Sequence, residues 1–236
     1  MLIIPAFDEE QRLPDVLRRV ASAAPGFEVV VVDDGSRDAT AEAARAGGAT
    51  LIRHPFNLGY GAALQTGYKY ARRASADLVV QMDADGQHDP ADVPALAAPI
   101  EADELDLVIG SRFLGVGDYR MDALRRTGRA VLQALIRAFG LRISDPTSGF
   151  QALGRRVLDL YVGDSFPSDY PDVDVLLAAH RHGLRIGERA VDMAKSERDS
   201  TLHGGLAPVY YAYKMLLSLW AASSRPRGGA TRKGTR

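Results

Sequence analysis

A mostly parallel α/β sheet with helices on both faces is the fold this sequence predicts. Three features predict it: short apolar runs without the alternation of a half-solvated strand, helix-period segments between them, and Asp, Gly or Ser clusters where several runs stop. Leu2 to Ala6 is the first strand, and Glu9 to Ser22 follows as a helix through Leu13, Val16, Leu17 and Val20. Glu28 to Val32 is a β-branched run stopped by Asp33-Asp34-Gly35-Ser36, after which Asp38 is placed to cap a helix through Ala46. Thr50 to Arg53 is the third strand, Gly59 to Arg73 the third helix and Leu78 to Met82 the fourth strand. Asp89 as N-cap and Pro90 in the first turn open a helix to about Ala102, and Leu107 to Gly110 is a fifth strand ending in Ser111-Arg112-Phe113.

Beyond Arg112 the alternation weakens. Asp122 to Phe139 reads as an amphipathic helix, with Arg125, Arg126, Arg129 and Arg137 opposite Leu124, Val131, Leu132, Leu135 and Ile136. A turn-rich segment, Asp145-Pro-Thr-Ser-Gly-Phe, precedes a helix from about Asp172 to His182 and a strand from Arg185 to Val191. The polar stretch Lys195 to Gly205 predicts a mobile loop.

A chain of 236 residues, 46% hydrophobic, buries a core of its own, and residues 1–224 are expected to form one domain. With no cysteine, any metal must be held by oxygen or imidazole ligands, which favours a hard cation. The N-terminus has neither a basic leader nor a long apolar run, so the chain is expected in the cytoplasm. The net charge of -1 is unevenly spread, because residues 225–236 hold four arginines, one lysine and no acid. Ahead of this basic tail lies Ala207 to Ser224, apolar and rich in aromatic residues, which reads either as an amphipathic helix at an anionic membrane surface or as a C-terminal helix docked on the core. No nucleic-acid partner is predicted.

In an open parallel sheet ligands sit beyond the carboxyl ends of the strands. The informative residues fall there, and one crevice is expected to collect Asp8, Glu9, Asp34, Asp83 and Asp85, with Arg112 nearby. Carboxylates this close repel unless a cation or donors compensate. Asp83 and Asp85, one residue apart, share a side of an extended segment and can both reach one divalent ion; Mg²⁺ or Mn²⁺ suits such a site because it keeps positions open for phosphate oxygens. The other reading of Asp-x-Asp is a turn. An EF-hand loop is excluded, since Gly86 comes fourth and no acid stands twelfth.

Six ordered motifs, Ile-Pro-Ala-Phe-Asp-Glu-Glu, Val-Val-Asp-Asp-Gly-Ser-Arg-Asp-Ala-Thr, Asn-Leu-Gly-Tyr-Gly-Ala-Ala, Met-Asp-Ala-Asp-Gly-Gln-His-Asp-Pro, Gly-Ser-Arg-Phe and Asp-Pro-Thr-Ser-Gly-Phe-Gln-Ala-Leu, lie between Ile4 and Leu153, within a similarity that covers roughly residues 2 to 192. Together they resemble the inverting family-two glycosyltransferases of the Rossmann-like GT-A fold, and within them the dolichol-phosphate mannosyltransferase-like branch. The resemblance implies that Pro5, Ala6 and Glu9 or Glu10 wall the nucleotide base and that Asp34 hydrogen-bonds it. It implies a metal-binding pair in Asp83 and Asp85 with Gln87 as third ligand, Arg112 near the phosphates, and Arg126, or Arg125 one position earlier, at the acceptor phosphate. The bland reading of that arginine edge is a solvated helix face.

Two departures from the family pattern stand out. Asp8 replaces the usual Asn, an extra carboxylate tolerated if it is turned away from the diphosphate. The donor-closing loop is atypical, and Lys195 or Arg198 takes its phosphate-clamping role. The activity implied is transfer of a hexose from GDP-mannose or UDP-glucose to a polyprenyl phosphate, peripherally at the inner face of the cell membrane, with a small integral membrane protein as a further partner. A phosphate acceptor is already anionic and needs only cations to orient it, whereas a saccharide hydroxyl needs a base. Asp172 and Asp174 are the candidates, although acids at a helix start also serve as dipole partners. A non-catalytic nucleotide-binding or membrane-partner scaffold is the alternative of another class.

Overall fold

In a computed structural model, residues 1–114, 133–134, 136–169, 171 and 173–194 are described. They form β1 (Leu2–Ala6), α1 (Leu13–Ala23), β2 (Val29–Asp33), α2 (Thr40–Ala46), β3 (Thr50–Arg53), α3 (Tyr60–Arg73), β4 (Leu78–Gln81), α4 (Val93–Glu101), β5 (Leu107–Ser111), β6 (Gln151–Gly154), α5 (Arg155–Tyr161), α6 (Val173–Arg181) and β7 (Ile186–Ala190). The strands make one sheet of order β3-β2-β1-β4-β6-β5-β7. All its described pairings are parallel except those of β6, which runs against both β4 and β5.

Apolar side chains explain why both faces are covered. Along β1, Ile3 enters one core with Leu64 and Tyr68 of α3 and Leu176 of α6, while Leu2 and Ile4 enter the other with α1 and α4. The predicted face of α1 is the buried one, Leu13, Val16, Leu17 and Val20. Each such side chain contributes about 1.5–3 kcal/mol by leaving water.

Several boundaries differ from the sequence reading. The first helix begins at Leu13, four residues late, because Asp8 adopts a left-handed φ of 54° and residues 9–12 form a turn before Pro14 opens the helix. Ala39 is the N-cap of α2, and Asp38, one residue earlier, still accepts the Thr40 N–H. Asp89 caps a short 3-10 turn, Pro90–Asp92, that runs into α4. Strand β6 and helix α5 were missed. The strand, Gln151–Gly154, follows a turn-rich segment and contains no β-branched residue, yet is buried at every position. Of the predicted segment 122–139, only 133–134 and 136–139 are described, and the aromatic segment and basic tail lie outside the described residues.

Asp106, just ahead of β5, joins three elements. It accepts the Arg185 backbone N–H at 2.8 Å and the Arg185 Nε at 3.1 Å, and lies 3.3 Å from Arg156 of α5. Burial opposes its ionisation, but the Arg185 hydrogen bonds and the two guanidinium charges outweigh this and hold its carboxyl below the usual range. Replacing it, Asp106→Ala, should lower unfolding free energy at pH 7 by about 2 kcal/mol, the scale of hydrogen bonds to a charged group. Because the folded-state pKa is depressed, this contribution is complete above about pH 4 and lost as pH falls through the folded value. Urea titrations of both proteins from pH 7 to pH 3 should show the gap closing.

Candidate active site

The order β2-β1-β4 places a topological switch between β1 and β4, where chain connections diverge to opposite sides and a crevice opens. A cleft of about 620 Å³ lies at the ends of β1, β2 and β3, lined by Phe7, Arg37, Arg53, Pro55, Phe56 and Asn57 among others. Phe56 is 64% exposed and Phe7 42%, so two aromatic faces meet solvent at its walls. Arg53 is fixed by Asp33, 3.0 Å from its Nε, and by the Ser36 carbonyl, which accepts its Nη2 at 2.8 Å. Gly35 sits beneath with φ +75°, and a Cβ there would come within 2.5 Å of the Phe56 backbone.

The residues expected to wall the base are tied into the frame around this cleft. Pro5 and Ala6 are buried in β1. Glu9 donates its N–H to Thr40 and pairs with Arg12 at 3.2 Å, and Glu10 accepts the Ala39 N–H at the start of α2. Asp8 accepts the Arg37 N–H at 2.9 Å, which satisfies the extra carboxylate within the frame. Asp34 is 3% exposed, and its carboxylate takes His54 Nδ1 at 2.7 Å and the Leu58 and Gly59 N–H groups at 2.9 Å. Asp34 therefore anchors the segment that leads from the cleft into α3.

Past β4 the chain enters the acidic loop. The pairing Ile3↔Gln81 puts Asp83 two residues beyond the last paired position of β4, beside β1. Asp83 accepts the Tyr60 hydroxyl at 2.8 Å, and its own N–H donates to His88 Nδ1 at 3.0 Å. Asp85 accepts the Gln87 N–H at 2.9 Å and also the Gln87 side-chain amide. Burial first, and then the charge of Asp83, push the Asp85 carboxyl above its ordinary range, with Gln87 and His88 offsetting only part. Among the described residues no three His, Asp or Glu side chains form a metal cluster. Two mutually repelling carboxylates and a neutral amide nevertheless suit a hard divalent ion, which would relieve the repulsion. Gln87 also accepts the Ala194 N–H at 2.9 Å, so the chain reaches this loop just before Lys195.

Arg112, at the end of β5, is held by Asp145 through Nε and Nη2, each at 2.7 Å, and Asp145 is fully buried. Glu188 of β7 accepts the Asp145 N–H, so the Asp145-to-Phe150 turn is moored from two strands. Asp174 lies in the first turn of α6 and accepts the Val175 N–H. Arg126, Arg125, Asp172, Lys195 and Arg198 lie outside the described residues. Sequence reasoning overlooked Phe7, Arg37, Arg53, Phe56 and Asn57 as cleft residues; Phe7, Arg37 and Asn57 stand inside the recognised motifs and Arg53 and Phe56 between them, but only the fold draws them together.

The family model described as "Glycosyl transferase family 2" matches residues 1–161. Polyprenol monophosphomannose synthase of Mycolicibacterium smegmatis is 30% identical over 211 residues, covering 84% of this chain and 78% of that one. Undecaprenyl-phosphate mannosyltransferase of Micrococcus luteus is 30% identical over 220 residues, covering 87% and 88%. Glucosyl-3-phosphoglycerate synthase from Mycobacterium tuberculosis, solved with Mn²⁺, UDP-glucose and phosphoglyceric acid, superposes with a TM-score of 0.72 at 25% identity, covering 97% and 80%. The likeness extends over the GT-A fold.

Removing the Asp34 anchor, Asp34→Ala, leaves two backbone N–H groups and His54 without their acceptor. Urea denaturation should show a loss of about 2–3 kcal/mol, and amide exchange at Leu58 and Gly59 should accelerate.

Proposed function

The chain belongs to glycosyl transferase family 2, and on that premise we propose that it moves a hexose, with inversion, from a nucleotide sugar to a polyprenyl phosphate at the cytoplasmic membrane face. The donor is of the GDP-mannose or UDP-glucose type. The observation that carries this reading is the placement of Asp83 and Asp85 at the end of β4, beside the strand whose own end opens the cleft. The cleft receives the nucleoside, with Phe7 and Phe56 offering flat apolar surface and Arg37 and Arg53 offering charge. Mg²⁺ or Mn²⁺, bound by Asp83, Asp85 and Gln87, would supply charge neutralisation of the departing diphosphate. Arg112, together with Lys195 or Arg198 beyond Ala194, orients the phosphates from the protein side.

The acceptor is supported by the relatives, whose names specify polyprenol and undecaprenyl phosphate. A phosphate monoester is anionic at neutral pH, so Arg126 need only orient it. No helix among the described residues is long and apolar enough to cross a membrane. Residues 1–224 act as the catalytic domain, and attachment to an anionic surface falls to the aromatic segment 207–224 and the tail 225–236, with a small integral membrane protein as docking partner. A second reading, transfer to a saccharide hydroxyl with Asp174 or Asp172 as base, is favoured by one contact. The Ser168 and Asp169 carbonyls, shortly before α6, accept the Ala62 and Gly61 N–H groups beside Tyr60.

Radiolabelled GDP-mannose and UDP-glucose offered with polyprenyl phosphate and Mn²⁺ should label the lipid from one donor. Incorporation only into a soluble glycan would instead support the hydroxyl reading. Asp85→Ala should abolish turnover and the Mn²⁺-dependent gain in nucleotide binding; unchanged binding and no wild-type turnover with any donor would identify a scaffold.

A further inference from the structure

We infer that Tyr60 is a positioning residue for Asp83, fixing which carboxylate oxygen faces an incoming divalent ion. This rests on the reading of Asp83 and Asp85 as the ion-binding pair. The Tyr60 hydroxyl donates to Asp83 Oδ1 at 2.8 Å. That bond occupies one oxygen and turns Oδ2 toward His88, whose Nε2 stands 3.7 Å away, too far for a hydrogen bond. His88 Nδ1 already accepts the Asp83 N–H, so the ring is fixed beside the carboxylate without hydrogen-bonding to Oδ2.

The hydroxyl is held in place from three directions. Asp34 binds the Leu58 and Gly59 N–H groups immediately before Tyr60, and the Asp169 and Ser168 carbonyls bind the Gly61 and Ala62 N–H groups immediately after it. Eight residues along α3, the Tyr68 hydroxyl bonds Gln81, two residues before Asp83. One helix thus grips both the last residue of β4 and the acid beyond it. From the other side Gly149 closes the contact. Gln81 Nε2 holds its carbonyl at 2.8 Å, and a Cβ added there would lie 2.9 Å from the Tyr60 hydroxyl and 3.1 Å from Asp83 Oδ2. A ligating carboxylate whose second oxygen is pinned by a rigid donor is the outer-shell arrangement that sets metal affinity.

The test is titration of each full-length protein with MnCl₂ at saturating GDP or UDP, with free Mn²⁺ read by electron paramagnetic resonance. Tyr60→Phe, which keeps the ring and deletes the donor, should weaken Mn²⁺ binding by about 10–100-fold. Its affinity for the same nucleotide in EDTA should stay at the wild-type value, a split that a merely structural role would not produce. Gly149→Ala, which crowds the same bond from the opposite segment and leaves the Tyr60 side chain unaltered, should weaken Mn²⁺ in the same way and decides the matter if Tyr60→Phe fails to fold. Wild-type Mn²⁺ affinity in both variants, alongside loss of Mn²⁺ binding in Asp85→Ala, overturns the role of Tyr60 and leaves the ion-binding pair standing. Unchanged binding in Asp85→Ala as well overturns both.

Discussion

Carboxylates buried at the ends of strands must find donors, and this constraint organises the molecule. Asp34 collects two backbone N–H groups and an imidazole, and Asp145 collects the fork of Arg112. Asp106 draws in two arginines. In each case the acid is satisfied internally and thereby fixes a loop or a strand end. Asp83 and Asp85 are different. They take a phenol and an amide, neutral donors that do not cancel the repulsion between two adjacent charges. The molecule thus separates acids that build the frame from a pair left to be balanced from outside.

Close backbone approach is the second organising element. Gly61 permits the carbonyls ahead of α6 to reach the first turn of α3, since a Cβ there would fall 2.3 Å from the Pro167 oxygen. Gly35 does the same beneath Phe56, and Gly149 beside Asp83. These three glycines come from three separate motifs of the sequence, and each marks a place where a chain segment is pressed against the site. These motif glycines therefore act as spacers.

How far the sequence could be read follows from this division. Strands β1 to β5 and their helices were legible because apolar period and turn chemistry are local properties. Strand β6 was not, because Gln151–Gly154 acquires its identity from pairing with β4 and β5, residues distant in the chain. At the site, the spacing of Asp83 and Asp85 leaves a turn and a metal pair both open, and the pair is favoured only by the six motifs taken together. Glu9, Glu10 and Asp34 look equivalent to them on paper, yet Glu9 pairs with Arg12, Glu10 takes a helix-start N–H and Asp34 takes loop N–H groups. Which partner an acid meets is a tertiary fact. The same holds for Phe56 and Asn57, whose exposure on the cleft wall depends on Asp34 holding the following turn.

The reversed strand β6 carries a consequence for biogenesis. As the chain leaves the ribosome, β1 to β4 can pair, but β4 remains an open edge until residue 154 has emerged. Gly149 and Gln151 arrive on that same late segment, and with them the packing that finishes the surroundings of Asp83. A nascent half-sheet that already carries the cleft-lining residues 7–57 therefore exists before the surroundings of Asp83 are complete. Vectorial synthesis finishes the acidic loop after the cleft, once most of the polypeptide has been made.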